Sequence, residues 1–283
     1  MSTRAFAWLK GHGTQNDFVL LPDHDGSVHG DLDPGFVAAL CHRRRGLGAD
    51  GVLRVIRTEH VAPELAGDAE WFMDYRNADG SVSEMCGNGV RVFAKHLLDE
   101  GLVPAGEPVA VGTRDGVKTV TRDDDGAYFV DMGVPRLLGE SKVTPAGRTF
   151  AATGVDMGNP HAVAFVDDLA DAGPLTEEPG YDTSLYPDGV NIELVVRRGE
   201  RHVAMRVHER GSGETLSCGT GACAVAVAAA TADDAPRPAT YRVDLPGGTL
   251  VITWREDGRL LMAGPAEIVA GGEMHWHGEE SRA

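Results

Sequence analysis

Lysine is scarce in this chain of 283 residues: only Lys10, Lys95, Lys118 and Lys142 occur, and none sits in a recognisable Schiff-base setting. Positive charge in general is short, with 26 Lys and Arg against 43 Asp and Glu, a net charge of −17. That balance favours solubility and argues against general binding to nucleic acid or to an anionic membrane. Long apolar runs are missing as well. The longest, Ala222 to Ala230, is far too short to span a bilayer, and no long apolar segment follows Arg4 as a secretory signal requires. A soluble cytoplasmic protein is the expectation. Cysteine is confined to positions 41, 86, 218 and 223, without a CxxC pair or a disulfide-dense pattern, so free thiols are expected.

What is present suits a turn-rich α/β protein. At 42% hydrophobic residues the chain can bury a sizeable core, and its length suggests two domains. Strands are predicted at "AFAWLKGHG", "DFVLLPD", "DGVLRVIR" and "AEWFMDYRN", with a helix over "GFVAALCHRRRG" ending at Gly46 and a second from about Gly89 to Asp99. Further strands are predicted at "PVAVGTRDG", "VKTVTRD" and "AYFVDMG". The second half repeats the plan: "HAVAFVDD", "GVNIELVVRRG" and "RHVAMRVHERG" as strands, the small-residue helix "CGTGACAVAVAAATA", then "YRVDLPGG", "TLVITWRED" and "RLLMAGPAEIVAGG". This is an internal duplication at domain scale, with a junction near residues 123–129.

Each half carries a Cys-Gly-x-Gly turn opening a helix, at Cys86 and Cys218. Glycine lets a ligand approach the main chain closely. A helix start presents unpaired N–H groups and a positive dipole end, which together form an anion cradle. A cysteine placed there is expected to have a lowered pKa. Two such sites facing one substrate suit racemisation or epimerisation: one thiolate removes a Cα proton, the other thiol delivers one to the opposite face, and the amides hold the carboxylate. The same geometry makes the pair liable to disulfide formation and reversible inactivation on mild oxidation, were the Cα atoms within about 7 Å. Cys41 and Cys223 read instead as small core residues.

The segments "RNADGSVSEMCGNGVRVFAKHL" and "HERGSGETLSCGTGACAVAVAA" resemble the two cysteine motifs of the diaminopimelate epimerase family, as do "GHGTQNDFVL", "RRRGLGADGVL", "DMGNPHAVAFV" and "DGVNIELV". The resemblance implies an α/β (α+β type) fold of two pseudo-symmetric domains, each a curved sheet around a central helix, with the active site in the interdomain cleft. The N-terminal domain would span residues 1–127, joined by a C-terminal strand at 264–283, and the C-terminal domain residues 128–263. It further implies interconversion of LL- and meso-diaminopimelate, a step toward lysine and peptidoglycan, without cofactor or metal. Cys86 and Cys218 match the acid and base; in the family's usual assignment the first donates and the second accepts when the LL isomer is the substrate. His161 and Glu209 match residues near the reacting ammonium. Arg210, Asn16, Asn77, Asn159 and Asn191 match contacts that hold the substrate, and Gly87, Asn88, Gly219 and Thr220 supply amides to the reacting carboxylate. Gly51 departs from the pattern, since some relatives contact substrate through a glutamine there. A homodimer is left open.

Each matched residue has a plainer reading. Asn77 in "NADG" and Asn159 before Pro160 are natural turn residues, Glu209 and Arg210 could form an exposed ion pair, and His161 could be a satisfied core histidine. "GLGADG" (46–51) fits a dinucleotide fingerprint in letters, but a helix precedes it and a strand follows, the reverse of what that site needs. "HRRRG" (42–46) is explained by a helix end, and "HWH" (275–277) lacks further metal ligands. Within enzymes the rivals are proline- or histidine-type racemases. "MCGNG", with no histidine in the third place of the turn, and "ERGSGET" favour the diaminopimelate reading. A thiol redox sensor or an amino-acid-binding protein is the rival from another class, and would exchange no Cα proton.

Overall fold

The computed structural model describes residues 4–65 and 67–276. The chain divides into two compact units: residues 4–13, 17–122 and 266–276 form the first, and residues 14–16 and 123–265 the second.

The first unit contains β1 (Arg4–Gly13), β2 (Asn16–Pro22), α1 (Pro34–Cys41), β3 (Gly51–Arg57), β4 (Trp71–Asn77), α2 (Gly87–Asp99), β5 (Val109–Thr113) and β6 (Gly116–Arg122). β2 and β3 run parallel, β3 and β4 antiparallel, β4 and β5 parallel, and β5 and β6 antiparallel. β1 lies beside β2. The sheet curls around α2, which packs on β1, β3, β4, β5 and β6. Residues Gly87–Ala94, His96 and Leu97 of α2 are therefore buried, more of its circumference than a helix lying on a flat sheet would cover.

The second unit contains β7 (Tyr128–Asp131), β8 (Arg136–Thr144), β9 (Phe150–Asp156), β10 (Pro160–Phe165), β11 (Gly180–Tyr181), β12 (Asn191–Gly199), β13 (His202–Glu209), β14 (Gly213–Thr215), α3 (Gly219–Ala232), β15 (Ala239–Leu245), β16 (Gly248–Trp254) and β17 (Leu260–Gly264). β10 and β12 are parallel, β12 and β13 antiparallel, and β13 and β15 parallel. α3 packs on β9, β10, β12, β15, β16 and β17. Its run of Gly, Ala and Val lets strands approach from all round, and its residues from Gly221 to Ala230 are all buried. β18 (Glu267–Trp276) returns to the first unit as the antiparallel partner of β1.

Three sequence expectations need correction. The first helix ends at Cys41, not Gly46, because the chain folds back so that the amides of Leu47 and Gly48 bond the carbonyl of Leu40. A Cβ at position 46 would stand 2.3 Å from the carbonyl oxygens of Ala39 and Leu40, so glycine is required for that return. The sequence reading also passed over β8 and β9. β8 shows why: only Ser141 and Val143 of its nine residues are buried, so it lacks the apolar alternation that marks a strand. The second helix begins at Gly87, two residues before its expected start.

Candidate active site

The two cysteines have the same local structure. Cys86 is the N-cap of α2 and its Sγ accepts the amide of Gly89 at 3.5 Å; Cys218 is the N-cap of α3 and its Sγ accepts the amide of Gly221 at 3.4 Å. In both, the sulfur occupies the place where a serine or aspartate oxygen normally closes a helix start. Gly87 and Asn88 form the first positions of α2, and Gly219 and Thr220 those of α3. The first amides of a helix point away from its own hydrogen-bond ladder, so each thiol lies beside donors suited to a carboxylate. Cys86 is half-buried and Cys218 is 5% exposed.

Beneath the two turns the units differ. Pairing registers make the comparison residue by residue: Phe18 of β2 aligns with Gly51 of β3, as His161 of β10 aligns with Asn191 of β12. Two residues on, Leu53 and Glu193 lie on the same face as Gly51 and Asn191, because strand side chains alternate. A Cβ built on Gly89 would meet Leu53 at 3.3 Å and Phe18 at 3.6 Å. A Cβ built on Gly221 would meet Glu193 Oε1 at 2.7 Å and Cys218 Sγ at 3.2 Å. The floor under Cys86 is apolar; the floor under Cys218 is ionic.

That ionic floor is built from one sheet face. The register pairs Glu193 with Val207 and Val207 with Thr215, so Glu209, two residues beyond Val207, shares their face. His161 and Glu193 are both 0% exposed, and His161 Nδ1 lies 2.6 Å from Glu193 Oε1. The other ring nitrogen, Nε2, lies 3.1 Å from Asn159 Oδ1. Glu209 accepts from the hydroxyl of Thr215 and also bonds Cys218. Burial raises the pKa of Glu209, against the opposing effects of Thr215, Cys218 and His161. Cys218 is raised well above the usual thiol range, first by burial and then by the negative charges of Glu209 and Glu193. The expectation of a lowered thiol pKa is thus overturned at Cys218: the Thr220 hydroxyl and Gly221 amide do favour the thiolate, but desolvation and two carboxylates outweigh them.

The remaining candidates fall into distinct settings. Asn191 is committed at both ends of its amide, donating to Pro160 O at 3.1 Å and accepting from Arg210 N at 3.0 Å. The Arg210 guanidinium is exposed and donates to Asp188 O at 2.9 Å, while Glu209 turns to the opposite side toward Cys218, so the adjacent charges do not face each other. Asn77 closes the "NADG" turn, donating to Ser81 Oγ at 3.0 Å. Asn88 accepts from the fully buried Arg91 at 2.9 Å. Asn16 follows Thr14 and Gln15, both at positive φ (50° and 62°), and Thr14 Oγ1 is anchored 2.6 Å from Ser217 Oγ, next to Cys218. At Gly51 a Cβ would stand 2.5 Å from Arg76 O, which excludes any side chain there without movement of β4.

Of the other cysteines, Cys41 is buried and pushed up to about 12, chiefly by desolvation, and Cys223 is fully buried in α3. Among the described residues no group of three or more His, Cys, Asp or Glu is set to hold a metal, and no helix is long and apolar enough to cross a membrane. His275 pairs with Glu273 at 3.2 Å on β18, and position 277 lies outside the described residues. Glu193, Gly221 and Thr215 were not singled out from sequence. Glu193 did leave a signal: a lone charge inside the segment "NIELVV" is a buried charge that needs a partner.

Comparison with known proteins agrees across the chain. A relative from Streptomyces coelicolor named "Diaminopimelate epimerase" is 59% identical, covering 97% of this chain and 96% of its own. One of the same name from Rhodococcus jostii is 48% identical, covering 95% and 98%. Among solved structures, a hydroxyproline epimerase from Agrobacterium vitis superimposes with a TM-score of 0.67 at 13% identity over 96% of this chain and 93% of its own, a likeness of fold. The family model described as "Diaminopimelate epimerase" matches residues 8–138 and 153–269, spanning both cysteine-capped helices, and the chain belongs to the diaminopimelate epimerase family.

Proposed function

We propose that this protein is a cofactor-independent isomerase that interconverts LL- and meso-2,6-diaminopimelate by two-thiol acid–base chemistry, a step in the supply of lysine and peptidoglycan precursors. The observation that carries the reading is the doubled cysteine N-cap: each thiol sits against the first amides of its unit's central helix. Membership of the family supplies the substrate.

The reaction inverts one Cα, so one sulfur must reach each face of that carbon. The sulfur that begins as thiolate takes the Cα proton, and the other, as thiol, gives its proton to the opposite face. One proton is taken and one given, and the two sulfurs end with their roles exchanged. Charge moving from Cα onto the carboxylate is stabilised by helix-start amides at Gly87 and Asn88 and at Gly219 and Thr220. His161 and Glu209 serve the reacting centre: Glu209 places a carboxyl beside Cys218, which suits a neighbouring substrate ammonium. The distal amino acid centre is assigned to Asn16, Asn77, Asn159, Asn191 and Arg210, of which the exposed Arg210 offers the charged fork for a carboxylate. A reducing cytoplasm, where both thiols stay free, is the compartment this chemistry requires.

The test is Cα exchange in deuterium oxide. Reduced protein without pyridoxal phosphate is incubated with LL-diaminopimelate and, in parallel, with proline, lysine, glutamate and histidine. Label and inversion confined to diaminopimelate is the expected result. Inversion of another amino acid would replace the substrate, and exchange with none of them would overturn the enzyme reading in favour of a binding or redox protein.

A further inference from the structure

Glu193 is a costly residue to bury. Its side chain is 0% exposed, one oxygen meets His161 Nδ1 at 2.6 Å, and the other, Oε2, has no hydrogen-bond partner among the described residues. A carboxylate in that state destabilises the fold unless something else requires it. The fold does not require it. The first unit is an internal comparison: the same parallel–antiparallel strand trio, with the same cysteine-capped helix above it, carries Leu53 at the equivalent position and is fully buried there without any charge. Phe18 likewise occupies the place of His161. The His161–Glu193 pair is an addition made in one half only, beneath Cys218.

Its placement is specific. Only a glycine at position 221 admits Oε1 to the first turn of α3, since a Cβ there would stand 2.7 Å from it. The carboxylate lies under the helix turn whose N-cap is Cys218, and its charge is one of the causes that raise that thiol. The titratable groups around it are His161 on β10, Glu209 on β13, Cys218 on α3 and Tyr186 in the loop before β12; Tyr186 is itself raised, mainly by burial and in part by Glu193.

We propose that Glu193 is a positioning residue for the isomerisation: its buried carboxylate holds the His161 ring through Nδ1, and its charge beneath the first turn of α3 acts on the Cys218 thiol. The floor beneath Cys218 thus carries a charge that the floor beneath Cys86 lacks. Through His161 Nε2 the same carboxylate sets the amide of Asn159, so the orientation of that substrate contact depends on a residue two hydrogen bonds away. The proposal rests on the two-thiol reading of the site.

Two substitutions separate the parts. Glu193→Gln keeps an oxygen for His161 Nδ1 and removes the charge; Glu193→Leu removes both and installs the side chain that Leu53 shows this layer accepts. The substrate-free proteins are alkylated with iodoacetamide across pH, and Cys86 and Cys218 are read separately by peptide mass spectrometry. Steady-state kcat and KM with LL-diaminopimelate are measured alongside. In both variants the Cys218 profile is expected to move to lower pH by about one unit while the Cys86 profile stays in place. Glu193→Leu is expected to lose about 100-fold in kcat with KM within about threefold, and Glu193→Gln to lose less. An unmoved Cys218 profile in Glu193→Gln overturns the electrostatic part, and wild-type kcat in Glu193→Leu overturns the positioning part. If Glu193→Leu does not fold, the Gln profile still decides the former, and the kcat of Glu193→Met, which also removes the oxygen facing His161 Nδ1, decides the latter. The alkylation arm uses no substrate, so a wrong substrate assignment would show in the kinetics of the wild type alone.

Discussion

A cysteine is a weak helix cap, because sulfur accepts hydrogen bonds less well than the oxygen of serine, threonine or aspartate. Its use at both Cys86 and Cys218 therefore points to chemistry and away from stability, and the two sites should tolerate replacement structurally. Cys86→Ala and Cys218→Ala are each expected to reduce epimerisation by about 1000-fold or more while circular dichroism and melting temperature change little. Near wild-type turnover in either would remove the two-thiol mechanism. A different residue contributes to acid stability. His29 is buried, its Nδ1 accepts from Arg4, and burial together with the Arg4 charge lowers its pKa to about 4. Between the unfolded value near 6.5 and about 4 the unfolded chain holds a proton that the folded chain does not. The contribution, about 3 kcal/mol at most, is therefore complete above pH 6.5 and fades as pH falls toward 4. Urea midpoints from pH 7 to 4.5 should fall more steeply for the wild type than for His29→Gln.

At the scale of elements, the helix starts show how one pattern serves two environments. Gly89 and Gly221 hold the same helical position, yet their neighbours differ: Leu53 at 3.3 Å for the first, and Glu193 Oε1 at 2.7 Å with Cys218 Sγ at 3.2 Å for the second. Gly89→Ala asks a flexible leucine end to give by tenths of an ångström. Gly221→Ala drives a methyl into the carboxylate and the reactive sulfur. The expected outcome is a retained, modestly reduced activity in Gly89→Ala and a loss of at least about 100-fold in Gly221→Ala, read as kcat at saturating substrate. Equal effects would show that the floors beneath the two helices do not differ as described. The elements most visible in the sequence were those with a buried face or a glycine turn, such as α2 and α3. β8 was invisible because a strand with only two buried residues has no periodicity to read.

For the whole molecule, a duplicated architecture carries a reaction that is itself nearly symmetric, since the substrate offers two faces of one carbon. Two-base inversion has an isotopic signature. In early turnover of LL-diaminopimelate in deuterium oxide, the meso product should carry one Cα deuterium while the remaining LL pool stays unlabelled, because the abstracted proton leaves on one sulfur and the label arrives from the other. Equal early labelling of substrate and product, measured by mass spectrometry after chiral separation, would indicate a single shared base. Beneath the two cysteine-capped helices the halves differ in Phe18 and Leu53 on one side against His161 and Glu193 on the other, so a repeated backbone plan coexists with low similarity in sequence.

The sequence by itself determined the two cysteine turns, their placement at helix starts, the repeated plan of the halves and the family, because glycine spacing, helix periodicity and motif order are local and survive in one dimension. The tertiary structure decided what surrounds each sulfur. His161, Glu193 and Glu209 lie on three strands separated by up to 48 residues, and only sheet register and side-chain alternation put them on one face beneath Cys218. The helix start alone favours a thiolate there; burial and two carboxylates reverse that, and the sum of those opposing fields is a property of three-dimensional packing.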